Sequence, residues 1–159
     1  MSLANMTQEE TDRENREHCR SIAQDVERYA NGDMYRCPEC GEEFDLYTEG
    51  NYETADNAED GIEKATCPHC GYASENYNDF EPLSLWDYFS DALDVRYLIG
   101  SDRSIIAVKV LVAFGGPNIW IDTETKRVEL YWWTDRASYP LSLNVCDSID
   151  EWAEEMFRC

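Results

Sequence analysis

The stretches CPECG at residues 37–41 and CPHCG at residues 67–71 are near-duplicates, with 26 residues between Cys40 and Cys67. They constrain the fold more than any other feature of the chain. Two residues between cysteines let one tight turn bring both sulfurs to the same ion. A glycine directly after the second cysteine permits positive φ, so backbone amides can point at the thiolates. Two such turns brought together close a tetrahedral shell of four thiolates, the geometry of a structural zinc ion. Cys37, Cys40, Cys67 and Cys70 are therefore the expected metal ligands, with Zn2+ as the expected cofactor. CxxC is also a redox pattern, but two pairs with a following glycine favour metal.

The other cysteines, Cys19, Cys146 and Cys159, read as free thiols. No signal peptide and no run of membrane-spanning length is visible, so thiols and metal are expected rather than disulfides, in a cytoplasmic protein. His69 lies inside a knuckle and reads as an exposed turn residue, because four cysteines already complete the shell. His18 and Cys19 are helix neighbours that would need ligands from elsewhere to hold a second ion.

Charge is the second constraint. The 159 residues include 34 acids and 13 bases, a formal net charge of −21. Residues 37–80 alone carry 12 acids and one base, Lys64, a net of −11. Nine of these acids lie between the knuckles: Glu42, Glu43, Asp45, Glu49, Glu53, Asp56, Glu59, Asp60 and Glu63. Such a field repels DNA, RNA and anionic lipid and attracts basic protein surfaces. The plainer reading is solubility or adaptation to salt.

Residues 35–72 resemble the zinc-ribbon family, in which two CPxCG knuckles sit at the tips of β-hairpins. The resemblance rests on Cys37, Pro38, Cys40, Gly41, Cys67, Pro68, Cys70 and Gly71. It implies a fold and a zinc ion but no single activity, since ribbons serve in transcription, translation, nucleases and adaptors. The acidic insert departs from nucleic-acid-binding ribbons, which carry Lys and Arg.

The rest of the chain reads as α+β, in three parts: an N-terminal helix (1–32), an acidic zinc-ribbon module (33–80) and an αβββα domain (81–159). Thr7 begins a capping box with Glu10, and Asn31-Gly32 stops the first helix. Cys19, Ile22, Val26 and Tyr29 form its apolar stripe, and its first half reads as a solvated arm or a partner-binding helix. Ser84 opens a second helix ending near Gly100, with Trp86, Phe89, Leu93 and Tyr97 on its buried face. Strands at 105–114, 119–122 and 127–133 make a three-stranded antiparallel meander, and 135–140 reads as a loop. A last helix spans 143–157, with Val145, Ile149, Trp152, Ala153, Met156 and Phe157 on one stripe.

No GxGxxG, P-loop, HExxH or GxSxG is present. The nearest approach to catalytic chemistry is Asp122-Thr-Glu124-Thr-Lys126. This resembles the end of a PD-(D/E)xK nuclease motif, in which acids hold a divalent metal and lysine positions water, with Asp102 available upstream. The same residues between two strands also make a plain hairpin turn, and that is the preferred reading. GGPN at 115–118, with no helix after it, is a turn rather than a phosphate loop. Of Trp132 and Trp133, alternation places one in the core and one outside, and an exposed Trp133 beside Arg136 and Tyr139 suits a protein interface.

Residues 84–157, with VAFGGPNIWIDTETKRVELYWW, look similar to small uncharacterised acidic proteins of phages and conjugative elements. That resemblance points towards an anti-defence role, such as inhibiting a CRISPR nuclease or a restriction enzyme. The expected partner is then a basic protein surface, such as a host nucleic-acid-binding enzyme, with no direct nucleic-acid or membrane contact. A second copy bound through the N-terminal helix is another candidate partner. The alternatives are an intracellular zinc-ribbon adaptor and a metal-dependent nuclease using Asp122, Glu124 and Lys126.

Overall fold

The computed structural model describes residues 6–54 and 61–159. The chain forms two compact units, one of Met1–Glu27 with Phe89–Cys159 and one of Arg28–Tyr88. The class is α+β, as expected.

The first unit is built on a sheet. Most of α1 (Gln8–Asn31), up to Glu27, belongs to this unit, and the helix begins with the anticipated capping box. The Thr7 amide donates to Glu10 Oε2 (2.8 Å), and the Glu10 amide donates to Thr7 Oγ1 (3.2 Å). The anticipated stripe buries Cys19 and Val26 fully, with Ala23 beside them and Ile22 half-buried. The sheet contains β7 (Asp94–Ile99), β8 (Ile105–Ala113), β9 (Asn118–Asp122), β10 (Arg127–Trp132) and β11 (Asp135–Pro140). All neighbours are antiparallel and follow chain order, so the sheet is a simple meander. Helix α3 (Leu143–Arg158) is capped by Ser142, whose hydroxyl accepts from the Val145 amide (3.3 Å).

Strand alternation gives this sheet two unlike faces. Val110, Ile121 and Val128 pair across three strands on one face, with Ile119 and Leu130 beside them, and all five are fully buried. Helix α3 packs against β8 with Val145, Cys146, Ile149, Trp152 and Ala153 buried. Met156 and Phe157, placed on the same stripe by sequence, are largely exposed, although the Phe157 ring lies 5.1 Å from that of Tyr97. The other face carries Arg96, Lys109, Asp122 and Arg127 in one ladder row, with Trp120 and Glu129 in the next.

Two expected elements differ. The helix expected from Ser84 to near Gly100 is confined to α2 (Leu85–Tyr88), and 94–99 is a strand. The cap is as read, with the Ser84 amide donating to Asp87 Oδ2 (2.8 Å). Beyond it, however, the nine-residue β8 supplies a pairing ladder that no isolated helix could match, and DVRYLI fits it by alternation. Phe89 is buried as expected, whereas Trp86 and Leu93 are exposed. The segment 135–140, read as a loop, is the edge strand β11, because a two-residue turn at Trp133-Thr134 folds it back on β10. The expected three-stranded meander is thus the centre of a five-stranded one.

The second unit holds the cysteines. The α1 C-terminus stops at Gly32 (φ 78), and the Asp33 amide reaches back to the Arg28 carbonyl (2.9 Å). Next come β1 (Met34–Arg36), β2 (Glu43–Asp45), β3 (Tyr52–Glu53), β4 (Lys64–Thr66), β5 (Ala73–Ser74) and β6 (Glu81–Pro82). They form two small antiparallel sheets, ordered β2-β1-β6 and β3-β4-β5. The core is small: Tyr35, Cys37, Phe44, Leu46, Ala65, Cys67 and Phe80. Phe80 is its hub, with the Phe44 and Tyr72 rings each 5.5 Å away.

Candidate metal centre

Each knuckle joins the two strands of a hairpin, β1 to β2 and β4 to β5. Their backbones repeat one another. The Gly41 amide donates to the Cys37 carbonyl (2.9 Å), and the Gly71 amide to the Cys67 carbonyl (3.0 Å). The Cys37 amide donates to the Glu42 carbonyl (2.9 Å), and the Cys67 amide to the Tyr72 carbonyl (2.8 Å). Gly41 and Gly71 take φ of 76 and 79, where a side chain would be strained. Near-identical sequences therefore fold into near-identical turns, and the two small sheets bring the turns together.

The four sulfurs lie within 4.8 Å of one another. Cys37 Sγ is 3.7 Å from Cys70 Sγ, and Cys40 Sγ is 3.7 Å from Cys67 Sγ. A tetrahedron with metal–sulfur bonds of about 2.3 Å has edges of about 3.8 Å, so the quartet fits a single four-thiolate ion. Cys37 and Cys67 are buried in the core while Cys40 and Cys70 are exposed, so one cysteine of each pair anchors the turn and the other closes the shell. All seven cysteines are unbridged.

The electrostatics fit the same role. Burial raises the Cys37 thiol, but the Cys40 and Glu39 amides and the Cys70 and Cys40 thiols outweigh it, leaving the group lowered to about 7. At Cys40 the Glu42 amide favours the thiolate, yet burial and the three neighbouring thiols push the group up to about 12. Cys70 is also raised: the Tyr72 amide opposes burial and the Cys37 thiol, and loses. Crowded thiols cannot all ionise next to one another, and a divalent cation removes that repulsion. Four protein ligands would leave an ion no open position, the arrangement of structural rather than catalytic sites.

The acids between the knuckles do not share one environment. Glu43 accepts from Tyr29 Oη and pairs with Arg36 (2.9 Å). Asp45 pairs with Arg28 (3.3 Å) and accepts from the Tyr47 amide (2.9 Å). Both are half-buried and serve the unit's own structure. Glu42, Glu49, Glu53 and Glu63 are exposed, with Lys64 Nζ 3.9 Å from Glu53. Asp56, Glu59 and Asp60 lie outside the described residues. His69 is exposed, its Nε2 3.2 Å from the Glu43 carbonyl.

The remaining candidates belong to the sheet unit. Asp122 is buried and caps its own turn, accepting from the Glu124 (2.9 Å) and Thr125 (3.3 Å) amides, with Lys109 Nζ 3.7 Å away. Glu124 and Lys126 are exposed, and Asp102 accepts from the amide and hydroxyl of Ser104 in its own turn. Among the described residues, the cysteine quartet is the one group of three or more His, Cys, Asp and Glu side chains whose ligand atoms converge. Trp133 is 90% exposed and takes φ 53 at the first position of the β10–β11 turn. Trp132 is itself partly exposed, with its ring 6.1 Å from that of Trp133, so neither tryptophan enters the core. The strand ends before alternation can apply to both. Arg136 pairs with Tyr131 across the ladder, its guanidinium 5.6 Å from the ring centroid.

One arrangement was not read from sequence. Arg136 lines an open cleft of about 560 Å³ together with Asp12, Arg16, Arg127, Glu129 and Tyr131. The alternation of Arg127, Glu129 and Tyr131 on one strand face was legible in RVELYWW. Their meeting with α1 and β11 was not.

No helix among the described residues is long and apolar enough to cross a membrane. No family model matches the chain, and comparison with the curated proteins and with the solved structures finds no match.

Proposed function

We propose that this chain is a non-catalytic zinc protein that presents carboxylates to a basic protein surface. The observation that carries the reading is the net −11 of residues 37–80, on a frame fixed by four cysteines, with Glu42, Glu49, Glu53 and Glu63 directed to solvent. Zinc is the ion that best suits four thiolates at tetrahedral spacing. Carboxylates on a rigid frame compete for the Lys and Arg residues that would otherwise bind phosphates. The finer form of the reading is therefore a nucleic-acid mimic that blocks a CRISPR nuclease or a restriction enzyme on behalf of a phage or mobile element.

Affinity capture from a host extract tests it. The wild type retains a basic nucleic-acid-binding enzyme, and added DNA or guide RNA displaces it. Changing Glu42, Glu49, Glu53 and Glu63 together to Gln abolishes retention while the bound zinc stays at one per chain. Retention of the partner by the quadruple variant overturns the reading. A partner that stays bound in the presence of nucleic acid instead favours an adaptor. That second reading is supported by Trp133, a large apolar side chain held in solvent at a hairpin tip.

A further inference from the structure

The cleft of the sheet unit has the opposite character to the acidic segment, and its chemistry is independent of whatever partner that segment binds. Arg16 comes from α1, Arg127 from β10 and Arg136 from β11. Seven of the chain's 13 Lys and Arg side chains meet a described carboxylate at ion-pair distance. None of these three arginines does so among the described residues, not even Arg16 with Asp12, one helical turn before it on the same cleft wall. In a chain with 34 acids, three arginines without a carboxylate partner among the described residues line one concavity.

The acids at the cleft do not cancel this charge. Glu129 already accepts from Lys109 Nζ (3.3 Å), Tyr131 Oη (2.8 Å) and Thr125 Oγ1 (2.8 Å). Asp12 accepts from Gln8 Nε2 (2.9 Å) and offsets one cation. Lys109 is shared between Glu129 (3.3 Å) and Asp122 (3.7 Å), so the three arginines against Asp12 and Glu129 leave the cleft with an excess of one positive charge, in a form suited to an anion with several oxygens such as a phosphate group. Arg127 Nε donates to Ser138 Oγ (2.8 Å), which fixes the guanidinium and leaves the hydroxyl its own hydrogen to donate. Guanidinium forks suit phosphate oxygens because they bind them two at a time. The volume is that of a small-molecule site and far exceeds a lone anion. A long polyanion would meet the protein's overall negative field, but a small dianion feels mainly charges within about one Debye length, ~8 Å.

We propose that this cleft binds a phosphorylated small molecule of nucleotide size, its phosphates held by Arg16, Arg127 and Arg136.

Calorimetric titration of the full-length zinc-loaded protein with ADP tests the site. ADP binds saturably at one site per chain. Arg16→Gln and Arg136→Gln, both at exposed positions on different elements, each weaken binding about tenfold, the loss of one charge-assisted contact. Arg13→Gln removes the same charge from the same helix outside the cleft and leaves the affinity unchanged. All three variants keep the wild-type circular dichroism spectrum. Inorganic phosphate binds more weakly than ADP. The proposal is overturned by an absence of saturable ADP binding to the wild type, by an equal loss in Arg13→Gln, or by inorganic phosphate binding as tightly as ADP.

Discussion

The two units of this chain reach stability by different means. The sheet unit buries Val110, Ile119, Ile121, Val128 and Leu130 on one face of five strands and covers them with a 16-residue amphipathic helix. The cysteine unit has strands of two or three residues and a seven-residue core, two members of which, Cys37 and Cys67, belong to the cysteine quartet. Strands that short contribute few ladder bonds, and so small a core buries too little apolar surface to offset the chain entropy of ordering it. The difference fits the proposed role of the four thiolates: an ion held there would stand in for the missing core.

The strongest way to break this comparison is to remove the metal. A high-affinity chelator, or Cys67→Ser, takes away zinc-binding free energy of about 10 kcal/mol or more. Amide hydrogen exchange then shows loss of protection at Tyr35, Phe44 and Ala65, while Val110, Ile121 and Val128 keep theirs. Simultaneous loss in both units would mean that the sheet depends on the metal too. The converse experiment is Ile121→Ala, at a fully buried position in the middle of the sheet. It costs about 3 kcal/mol, read as a lower denaturation midpoint with an unchanged slope, and the zinc content stays at one per chain. A variant that lost its zinc would contradict the independence of the two units. The smallest effect concerns the β10–β11 turn. Trp133→Gly relieves a left-handed φ at a side chain that buries almost nothing, and stabilises the sheet unit by roughly 0.5–1 kcal/mol in thermal denaturation. A loss of stability there would show that the exposed indole packs more than its surface area indicates.

The parts legible in the sequence are those whose cause is local. The Thr7–Glu10 capping box, the Gly32 stop, the last helix (read as 143–157, found as Leu143–Arg158) and both knuckles depend on residues within a few positions of each other, and the structure has them close to where they were read. The helix expected over 84–100 did not extend past Tyr88 because the apolar spacing of Trp86, Phe89, Leu93 and Tyr97 is compatible with two periods. The deciding partner, β8, begins several residues further along the chain. The edge strand β11 was missed for a related reason. DRASYP has weak strand character of its own and ends in a proline, which an edge strand accommodates. The charge of the inter-knuckle acids was countable, but which of them stay exposed was not: Glu43 and Asp45 are drawn into ion pairs with Arg36 and Arg28 from other elements.

The sequence by itself determined the cysteine quartet that can hold a metal and the acidic charge between its knuckles, because two CPxCG turns carry their own geometry and charge counting needs no fold. Only the tertiary structure decided the five-stranded sheet and the cleft on its polar side. Arg16, Arg127 and Arg136 come from a helix and two strands separated by as much as 120 residues. No local spacing ties them together. What joins them is the register of β10 against β11 and the packing of the first unit, which place them on one cleft where no described carboxylate pairs with them.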